Sequence, residues 1–458
     1  MPERLIVVGG DAAGMTAAST ARKRRGPEDL EIIAFERGSY TSYSACGIPY
    51  FVGDVVDGAS LVVRTPEEFR SRQSIDARIH HEVTEIDLDK RVVKVRDGST
   101  ELVEGFDQLM IGTGAIPIRP DLPNADAENI FGVQVLDDGM AIRDAIERDK
   151  PKSAVVIGGG YIGIEMAEAF KMREMDVTLI DHAQAPMSTL DPDMGQLIAE
   201  AMDEMGVVLH LGESVEGFET SNGKVTGVVT DKHSVPADFV VLGIGVRPNS
   251  ELAAAAGVPI GPSGGIVVDR RMRTDVEGVW AAGDCAEKFH RVSRRSVAIA
   301  LGTHANKEGR VAGINIGGGY ATFPGVVGTA ASKVCGVEVA RTGLNEDEAR
   351  AAGFDFVTVT TRSTTRAGYY PEAKKITMKV LAEKRSGRLL GTQIVGEEGA
   401  AKRIDVFATA LWNEMTVDAM LNMDLSYAPP FAPVWDPVLI AARRTWDAVQ
   451  KTVDESPT

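Results

Sequence analysis

The most reactive side chains in this sequence are three cysteines, Cys46, Cys285 and Cys335. A cysteine thiolate can attack disulfides and can carry a redox reaction. An odd number of cysteines at wide spacing does not make a disulfide framework of the kind found in secreted domains. The cysteine content therefore favours a reducing compartment, in which a single cysteine is a candidate for chemistry.

Two glycine-rich segments predict a second kind of chemistry. RLIVVGGDAAGMTAASTARKRR spans residues 4–25, and SAVVIGGGYIGIEMAEAFKMR spans residues 153–173. Each has an apolar strand, a tight turn and a helix-compatible stretch, and its glycines let the backbone approach a pyrophosphate at the positive end of the helix. Asp11 replaces the usual middle glycine of the first turn. The glycines are Gly9 and Gly14 in the first segment and Gly158, Gly160 and Gly163 in the second.

An acidic residue ends the strand that follows each of these segments. Glu36 comes 22 residues after Gly14, and Asp181 comes 18 residues after Gly163. Such an acid accepts hydrogen bonds from a ribose hydroxyl, and the expected spacing is about 20 residues. The two units therefore predict that the chain binds two dinucleotides. His182, rather than Arg or Lys, follows Asp181, and this favours NADH because a carboxylate repels the 2′-phosphate of NADPH.

Length and charge limit the partners. A chain of 458 residues predicts two to four domains. The formal net charge of −17 disfavours nucleic acid and anionic membranes as partners. The sequence contains no run of about 18 apolar residues and no secretory signal pattern. We therefore expect a cytoplasmic protein that acts on a small molecule, and we predict no metal site.

Several further motifs give the chain a family resemblance. They are IGTGAIP in residues 111–117, VVLGIGVRPN in 240–249, TDVEGVWAAGDC in 274–285 and YAPPF in 427–431. With the two glycine-rich turns, they resemble the FAD-dependent pyridine nucleotide-disulfide oxidoreductase superfamily. The similarity is to its single-cysteine branch, which contains NADH oxidase, NADH peroxidase and, most similar to this chain, coenzyme A-disulfide reductase.

This resemblance implies an α/β fold with two Rossmann-like dinucleotide-binding domains and a C-terminal α+β dimerisation domain. Residues 1–118 and 245–322 would form the FAD-binding domain, 119–244 the NAD(P)H-binding domain and 323–458 the dimerisation domain of a homodimer. Asp284 would hold the FAD ribitol and pyrophosphate, and Thr113 and Gly114 would also contact the cofactor. Tyr161 would gate the nicotinamide.

The same resemblance makes Cys46 the redox residue. We expect it to begin a helix, whose N-terminus favours the thiolate. Reductases with two redox cysteines have the second one five residues later, where this chain has Phe51, so an internal disulfide of that kind is impossible. No histidine follows His304, so the C-terminal histidine that serves as acid in glutathione reductase-like enzymes is absent.

Tyrosines are the expected replacement for that histidine. Tyr427 and either Tyr369 or Tyr370 match tyrosines that reach the cysteine of the other subunit in coenzyme A-disulfide reductases, and a neutral phenol can donate a proton to a leaving thiolate. Arg22 matches a position that binds a coenzyme A phosphate, although a cation there also complements the C-terminus of a helix. Ser42 is a further candidate for substrate binding.

These residues predict an NAD(P)H:disulfide oxidoreductase that acts on coenzyme A disulfide or a related small disulfide or persulfide. Ala45 precedes the cysteine, where relatives specific for coenzyme A disulfide usually have Asn. The alternatives are an NADH oxidase or peroxidase that cycles a sulfenic acid, and a flavoprotein for electron transfer or redox sensing. Ala12, in the place of a peroxidase histidine, disfavours a peroxidase more than an oxidase.

Overall fold

The computed structural model describes residues 2–454. Up to residue 118 the chain forms eight strands and three helices, named in chain order. They are β1 (Glu3–Val8), α1 (Ala12–Arg22), β2 (Leu30–Phe35), α2 (Ile48–Val52), α3 (Pro66–Gln73), β3 (Asp76–Arg78), β4 (His81–Asp87), β5 (Val92–Asp97), β6 (Thr100–Gly105), β7 (Gln108–Ile111) and β8 (Ala115–Pro117).

The middle of the chain contains a second alternating set of strands and helices. They are β9 (Ile130–Gly132), α4 (Leu136–Asp149), β10 (Ser153–Ile157), α5 (Tyr161–Met172), β11 (Asp176–Asp181), α6 (Pro192–Glu204), β12 (Val207–Leu211), β13 (Val215–Ser221), β14 (Lys224–Thr230), β15 (Ser234–Pro236), β16 (Phe239–Leu242) and β17 (Val246–Pro248).

The remaining elements return to the first unit and then form a third. They are α7 (Glu251–Ala255), β18 (Val279–Ala281), β19 (Lys288–Phe289), β20 (Ser296–Val297), α8 (Gly302–Ile316), β21 (Ala330–Val334), β22 (Val337–Gly343), α9 (Glu346–Ala351), β23 (Phe356–Thr364), β24 (Lys375–Glu383), β25 (Leu389–Gly396), α10 (Ile404–Trp412), α11 (Val417–Leu421) and α12 (Pro437–Asp454).

Two parallel five-stranded sheets form the centres of the first two units. Their strand orders are β18-β7-β1-β2-β3 and β12-β11-β10-β16-β9. Their central strands β1 and β10 are nearly continuous apolar runs, as expected for strands covered on both faces. Strand β8 pairs with β17 where the chain leaves the first unit and returns to it, so the first sheet is built from both flanking segments.

The C-terminal unit is an antiparallel sheet in the order β21-β22-β25-β24-β23, and α12 packs against β23 and β24. The predicted fold class is thereby confirmed. We keep the division at residues 118, 244 and 322 as a proposal. No helix within residues 2–454 combines the length and the apolar character needed to cross a membrane.

A buried polar network joins the C-terminal sheet to the second unit. The ammonium group of Lys379 on β24 lies 3.0 Å from a carboxylate oxygen of Asp191 and 2.7 Å from one of Asp193 at the start of α6. Gln393 on β25 also donates a hydrogen bond to Asp191, over 2.7 Å. These paired charges fix the unit that carries α5 and α6 against the C-terminal sheet.

Candidate functional site

The two glycine-rich turns have nearly the same geometry. Gly9 has φ of +105°, and a β-carbon there would lie 2.2 Å from the carbonyl oxygen of Gly112. Gly158 has φ of +98°, and a β-carbon there would lie 2.5 Å from the carbonyl oxygen of Gly243. In the first turn, a β-carbon on Gly14 would lie 2.0 Å from the carbonyl oxygen of Gly9. In the second, a β-carbon on Gly163 would lie 1.9 Å from the carbonyl oxygen of Gly158. Both turns therefore require glycine at two positions, which leaves each helix N-terminus open to a pyrophosphate.

The acidic residues predicted to bind ribose lie beside these turns. Glu36 accepts hydrogen bonds from the backbone N–H groups of Gly10 at 2.8 Å and Gly38 at 2.7 Å. Asp181 accepts them from Gly159 at 2.5 Å and Ala183 at 2.9 Å. Each acid also lines a surface cavity. The carboxylates are thus held in place and keep lone pairs for a ribose hydroxyl.

Asp284 completes the first site. Gly283 packs closely against Ala13, and this contact places Asp284 near the start of α1. The Oδ1 atom of Asp284 is buried without a hydrogen-bond partner, and burial raises the pKa of the carboxyl group. A buried unpaired carboxylate oxygen is costly, so a hydroxyl-bearing ligand would satisfy it. Together with Glu36 and the first turn, this group fits FAD.

Thr113 and Gly114 lie just before β8, where the chain leaves the first unit beside the segment by which it returns. The hydroxyl of Thr113 donates a hydrogen bond of 2.5 Å to the carbonyl of Asn249, so this side chain joins the two crossing segments. Gly114 has φ of +71°, and no atom lies within 4 Å of the position of a β-carbon. Space for a ligand is therefore available at Gly114.

Asp11 is a site residue whose role the sequence did not reveal. Its carboxylate accepts a hydrogen bond of 3.2 Å from the backbone N–H of Tyr43. Burial raises its pKa to about 7, and the charges of Glu36 and Asp284 add to the effect. The replacement of the middle glycine therefore connects the first turn to the segment that leads to Cys46.

Cys46 lies in a 3₁₀ turn, Ala45–Gly47, that leads into α2. The residue as a whole is exposed, but its sulfur is partly buried, and this burial raises the pKa of the thiol. The negative charges of Glu165 and Asp284 raise it further. We expected a helix N-terminus to favour the thiolate. In the structure α2 has only five residues, and burial and the acidic neighbours favour the neutral thiol instead.

Glu165 is a second residue near the site that the sequence did not single out. It lies on α5, which packs against α2, and it accepts a hydrogen bond of 2.6 Å from Ser332 on the hairpin β21–β22. Burial raises its own pKa. The second and third units thus together hold a carboxyl group close enough to act on Cys46.

The other two cysteines have structural surroundings. Cys285 is buried, and its sulfur lies 3.4 Å from the carbonyl oxygen of Ala282. Cys335 is at the tip of the hairpin β21–β22, and burial raises the pKa of its thiol to about 12. All three cysteines are free. Cys46 is therefore the exposed thiol, and it has no disulfide partner within the chain.

The predicted catalytic tyrosines lie in the C-terminal unit. Tyr369 is 78% exposed, and a hydrogen bond with Tyr427 raises its pKa. Tyr370 is half-buried. Tyr369 and Tyr427 thus lie together at the surface. Three apolar side chains that follow Tyr427 in the sequence are also exposed, namely Phe431, Val434 and Trp435.

The remaining predicted residues have mainly local contacts. The guanidinium group of Arg22 donates hydrogen bonds to the carbonyls of Arg25 and Ser74, both at 3.1 Å, as expected of a cation at a helix C-terminus. Ser42 has φ of +48°, and its N–H donates to the carbonyl of Gly10. Tyr161 is the first residue of α5, and burial raises the pKa of its hydroxyl.

Comparison with known proteins agrees with this geometry. Residues 3–309 match the family described as pyridine nucleotide-disulphide oxidoreductase, and residues 329–437 match its dimerisation domain. A solved NAD-dependent persulfide reductase from A. fulgidus superposes with a TM-score of 0.94 at 39% identity, covering 98% of this chain and 84% of that one.

Curated relatives include proteins with three related names. The NAD(P)H coenzyme A polysulfide/persulfide reductase of Pyrococcus horikoshii is 38% identical over 97% of this chain and 98% of its own. An NADH oxidase of Methanocaldococcus jannaschii is 35% identical over 98% of this chain and 99% of its own. A coenzyme A disulfide reductase of Staphylococcus haemolyticus is 30% identical over 94% of this chain and 96% of its own.

The family matches confirm the predicted enzyme class and the use of FAD and NAD(P)H. The chain belongs to the pyridine nucleotide-disulphide oxidoreductase family.

Proposed function

We propose that this enzyme uses NAD(P)H to reduce coenzyme A disulfide, or a related small disulfide or persulfide, through Cys46. The observation that carries the proposal is the exposed Cys46 thiol without a disulfide partner in its own chain. A disulfide intermediate on Cys46 then requires a thiol from outside. The names of the relatives from P. horikoshii and S. haemolyticus support coenzyme A as that thiol.

The sulfur chemistry follows from these residues. FAD bound between the first turn and Asp284 would supply two-electron transfer between the nicotinamide and sulfur. The Cys46 thiolate attacks one sulfur of the substrate disulfide, forms a mixed disulfide and releases the other half as a thiolate. Two electrons from NAD(P)H then cleave the mixed disulfide, which returns Cys46 to the thiolate and releases the second half. In the overall reaction, one disulfide, one NAD(P)H and one proton give two thiols and one NAD(P)⁺.

We further propose a homodimer in the cytoplasm, in which the exposed Tyr369–Tyr427 pair faces Cys46 of the partner subunit. A phenol pair can donate a proton to the leaving thiolate and remain neutral at pH 7. Membership of the dimerisation-domain family supports this arrangement. Asp181 without a neighbouring Arg or Lys supports NADH as the better donor.

Replacement of the thiol tests the proposal. We expect Cys46→Ser to lose disulfide reduction by at least about a thousandfold, because the hydroxyl is a far weaker nucleophile than a thiolate. It should retain its flavin and still pass electrons from NADH to a small artificial acceptor. Cys335→Ser is the matched control and should keep full activity. Unchanged disulfide turnover in Cys46→Ser would refute the proposal and favour a flavoprotein that transfers electrons without a thiol.

Reduction of oxygen or peroxide through a Cys46 sulfenic acid is the second candidate. The M. jannaschii NADH oxidase, similar over nearly the whole chain, supports it. Steady-state efficiency with oxygen, hydrogen peroxide and coenzyme A disulfide, measured on one preparation, separates the candidates. A kcat/KM for oxygen or peroxide higher than that for the disulfide would favour the oxidase or peroxidase.

A further inference from the structure

Two histidines and a glutamate form a cluster on the second unit, away from the cysteine. His210 lies on β12, Glu213 follows that strand, and His233 lies in the turn between β14 and β15. One ligand atom from each residue lies within 4.8 Å of the others. Sequence spacing does not reveal this cluster, because 23 residues separate the histidines and the pairing of β13 with β14 brings them together.

The distances are close to those of a metal site. Nδ1 of His210 lies 3.2 Å from Oε1 of Glu213, and Nε2 of His233 lies 3.7 Å from Oε2 of the same carboxylate. Two donor atoms on a tetrahedral zinc ion, with bonds of about 2.0 Å, are separated by about 3.3 Å. Small side-chain rotations would therefore bring the three groups around one ion.

The charge and access of the cluster also suit a cation. Glu213 is buried, and its carboxylate accepts a hydrogen bond of 3.1 Å from the hydroxyl of Thr230, which holds it in place between the two histidines. His233 is exposed, which gives an ion and its water a path from solvent. The nearest competing cation is Lys232, an exposed side chain whose ammonium group lies 4.0 Å from Glu213 and is free to move away.

We propose that His210, Glu213 and His233 bind one divalent transition-metal ion of the zinc class, with water in the fourth position. Imidazole ligands favour such ions over magnesium and calcium, and three protein ligands are sufficient for an open zinc site. The proposal differs from our sequence-based prediction of no metal site.

The site adjoins the predicted nucleotide pocket. The N–H of Glu213 donates a hydrogen bond of 3.1 Å to the carbonyl of Asp181, and both residues line the same cavity. A bound ion would connect the strand end that carries Asp181 to the β14–β15 turn.

Zinc binding to the flavin-loaded protein tests the proposal. The protein would carry no histidine tag and would contain Cys46→Ser, so that zinc does not bind the exposed thiol. After chelator treatment and equilibrium dialysis against Zn²⁺, bound zinc is measured by mass spectrometry. We expect one ion per chain, and His210→Gln and His233→Gln should each weaken binding by at least about tenfold.

His80→Asn is the matched control, because it removes a histidine elsewhere and asparagine tolerates the positive φ of that position. It should bind zinc like the parent. His233 lies exposed in a turn, so its replacement should preserve the fold, and retained flavin would verify this. No zinc in the parent, or equal zinc in the parent and both histidine variants, would overturn the proposal.

Discussion

The two glycine-rich turns have almost the same backbone geometry but different surroundings. In the first, Asp11 occupies the middle position, bonds to the segment before Cys46 and lies near Glu36 and Asp284. In the second, the middle residue is Gly160, and Asp181 lines an open cavity with His182. The first turn is therefore suited to a permanently held cofactor next to the cysteine, and the second to a nucleotide that exchanges.

Matched alanine substitutions should separate these roles with the largest effects. A β-carbon would lie 2.0 Å from a carbonyl oxygen in Gly14→Ala and 1.9 Å from one in Gly163→Ala, too close for either turn to keep its shape. We expect Gly14→Ala to lose at least about 90% of its flavin. Gly163→Ala should keep its flavin, and its KM for NADH should rise at least about tenfold. Flavin absorbance per chain and NADH kinetics measure the two effects.

Gly105→Ala is the control for this pair, because its β-carbon would meet only the carbonyl oxygen of Arg91, at 3.8 Å. It should change neither quantity. Equal flavin loss in Gly14→Ala and Gly163→Ala would show that the two turns do not serve separate ligands.

A smaller effect is expected at the second acid. Asp181→Asn removes the negative charge near the ribose, so the preference for NADH over NADPH, measured as a ratio of kcat/KM values, should fall about tenfold. The flavin content should remain unchanged. Asp176→Asn, at the exposed start of the same strand, should keep the original ratio. An unchanged ratio in Asp181→Asn would place the nucleotide preference elsewhere.

The smallest effect concerns the pKa of Cys46. Because burial and acidic neighbours raise this pKa, the rate of alkylation by iodoacetamide should increase as pH rises through it. Glu165→Gln removes one of these charges, so alkylation at pH 7 should become about two- to tenfold faster. Glu204→Gln, at the exposed end of α6, should have no effect. An unchanged rate in Glu165→Gln would mean that its carboxyl group does not act on Cys46.

Local sequence predicted the parts of the site that depend on local geometry. The turn glycines and the acids Glu36 and Asp181 follow from strand, turn and helix spacing. The contact between Asp11 and Tyr43 did not, because 32 residues separate them and only the tertiary fold brings them together. The first two units were predictable because strand, glycine-rich turn and helix occur twice along the chain, whereas the C-terminal unit followed from the family resemblance.

The acidic surroundings of Cys46 could not be predicted from the sequence for a related reason. The sequence shows a helix start after the cysteine but neither how short α2 is nor that α5 brings Glu165 beside it. The cluster of His210, Glu213 and His233 was invisible because strand pairing, and not spacing, assembles it. Both cases depend on contacts between elements that are distant in sequence.

The central claim is that Cys46 forms its disulfide with a small thiol from outside the chain. Its most direct test is the intact mass of the protein, denatured and never exposed to reductant, followed by peptide mapping. We predict an adduct of coenzyme A mass on Cys46 that dithiothreitol removes. An added oxygen atom on Cys46 in place of that adduct would contradict the claim and favour the sulfenic acid cycle.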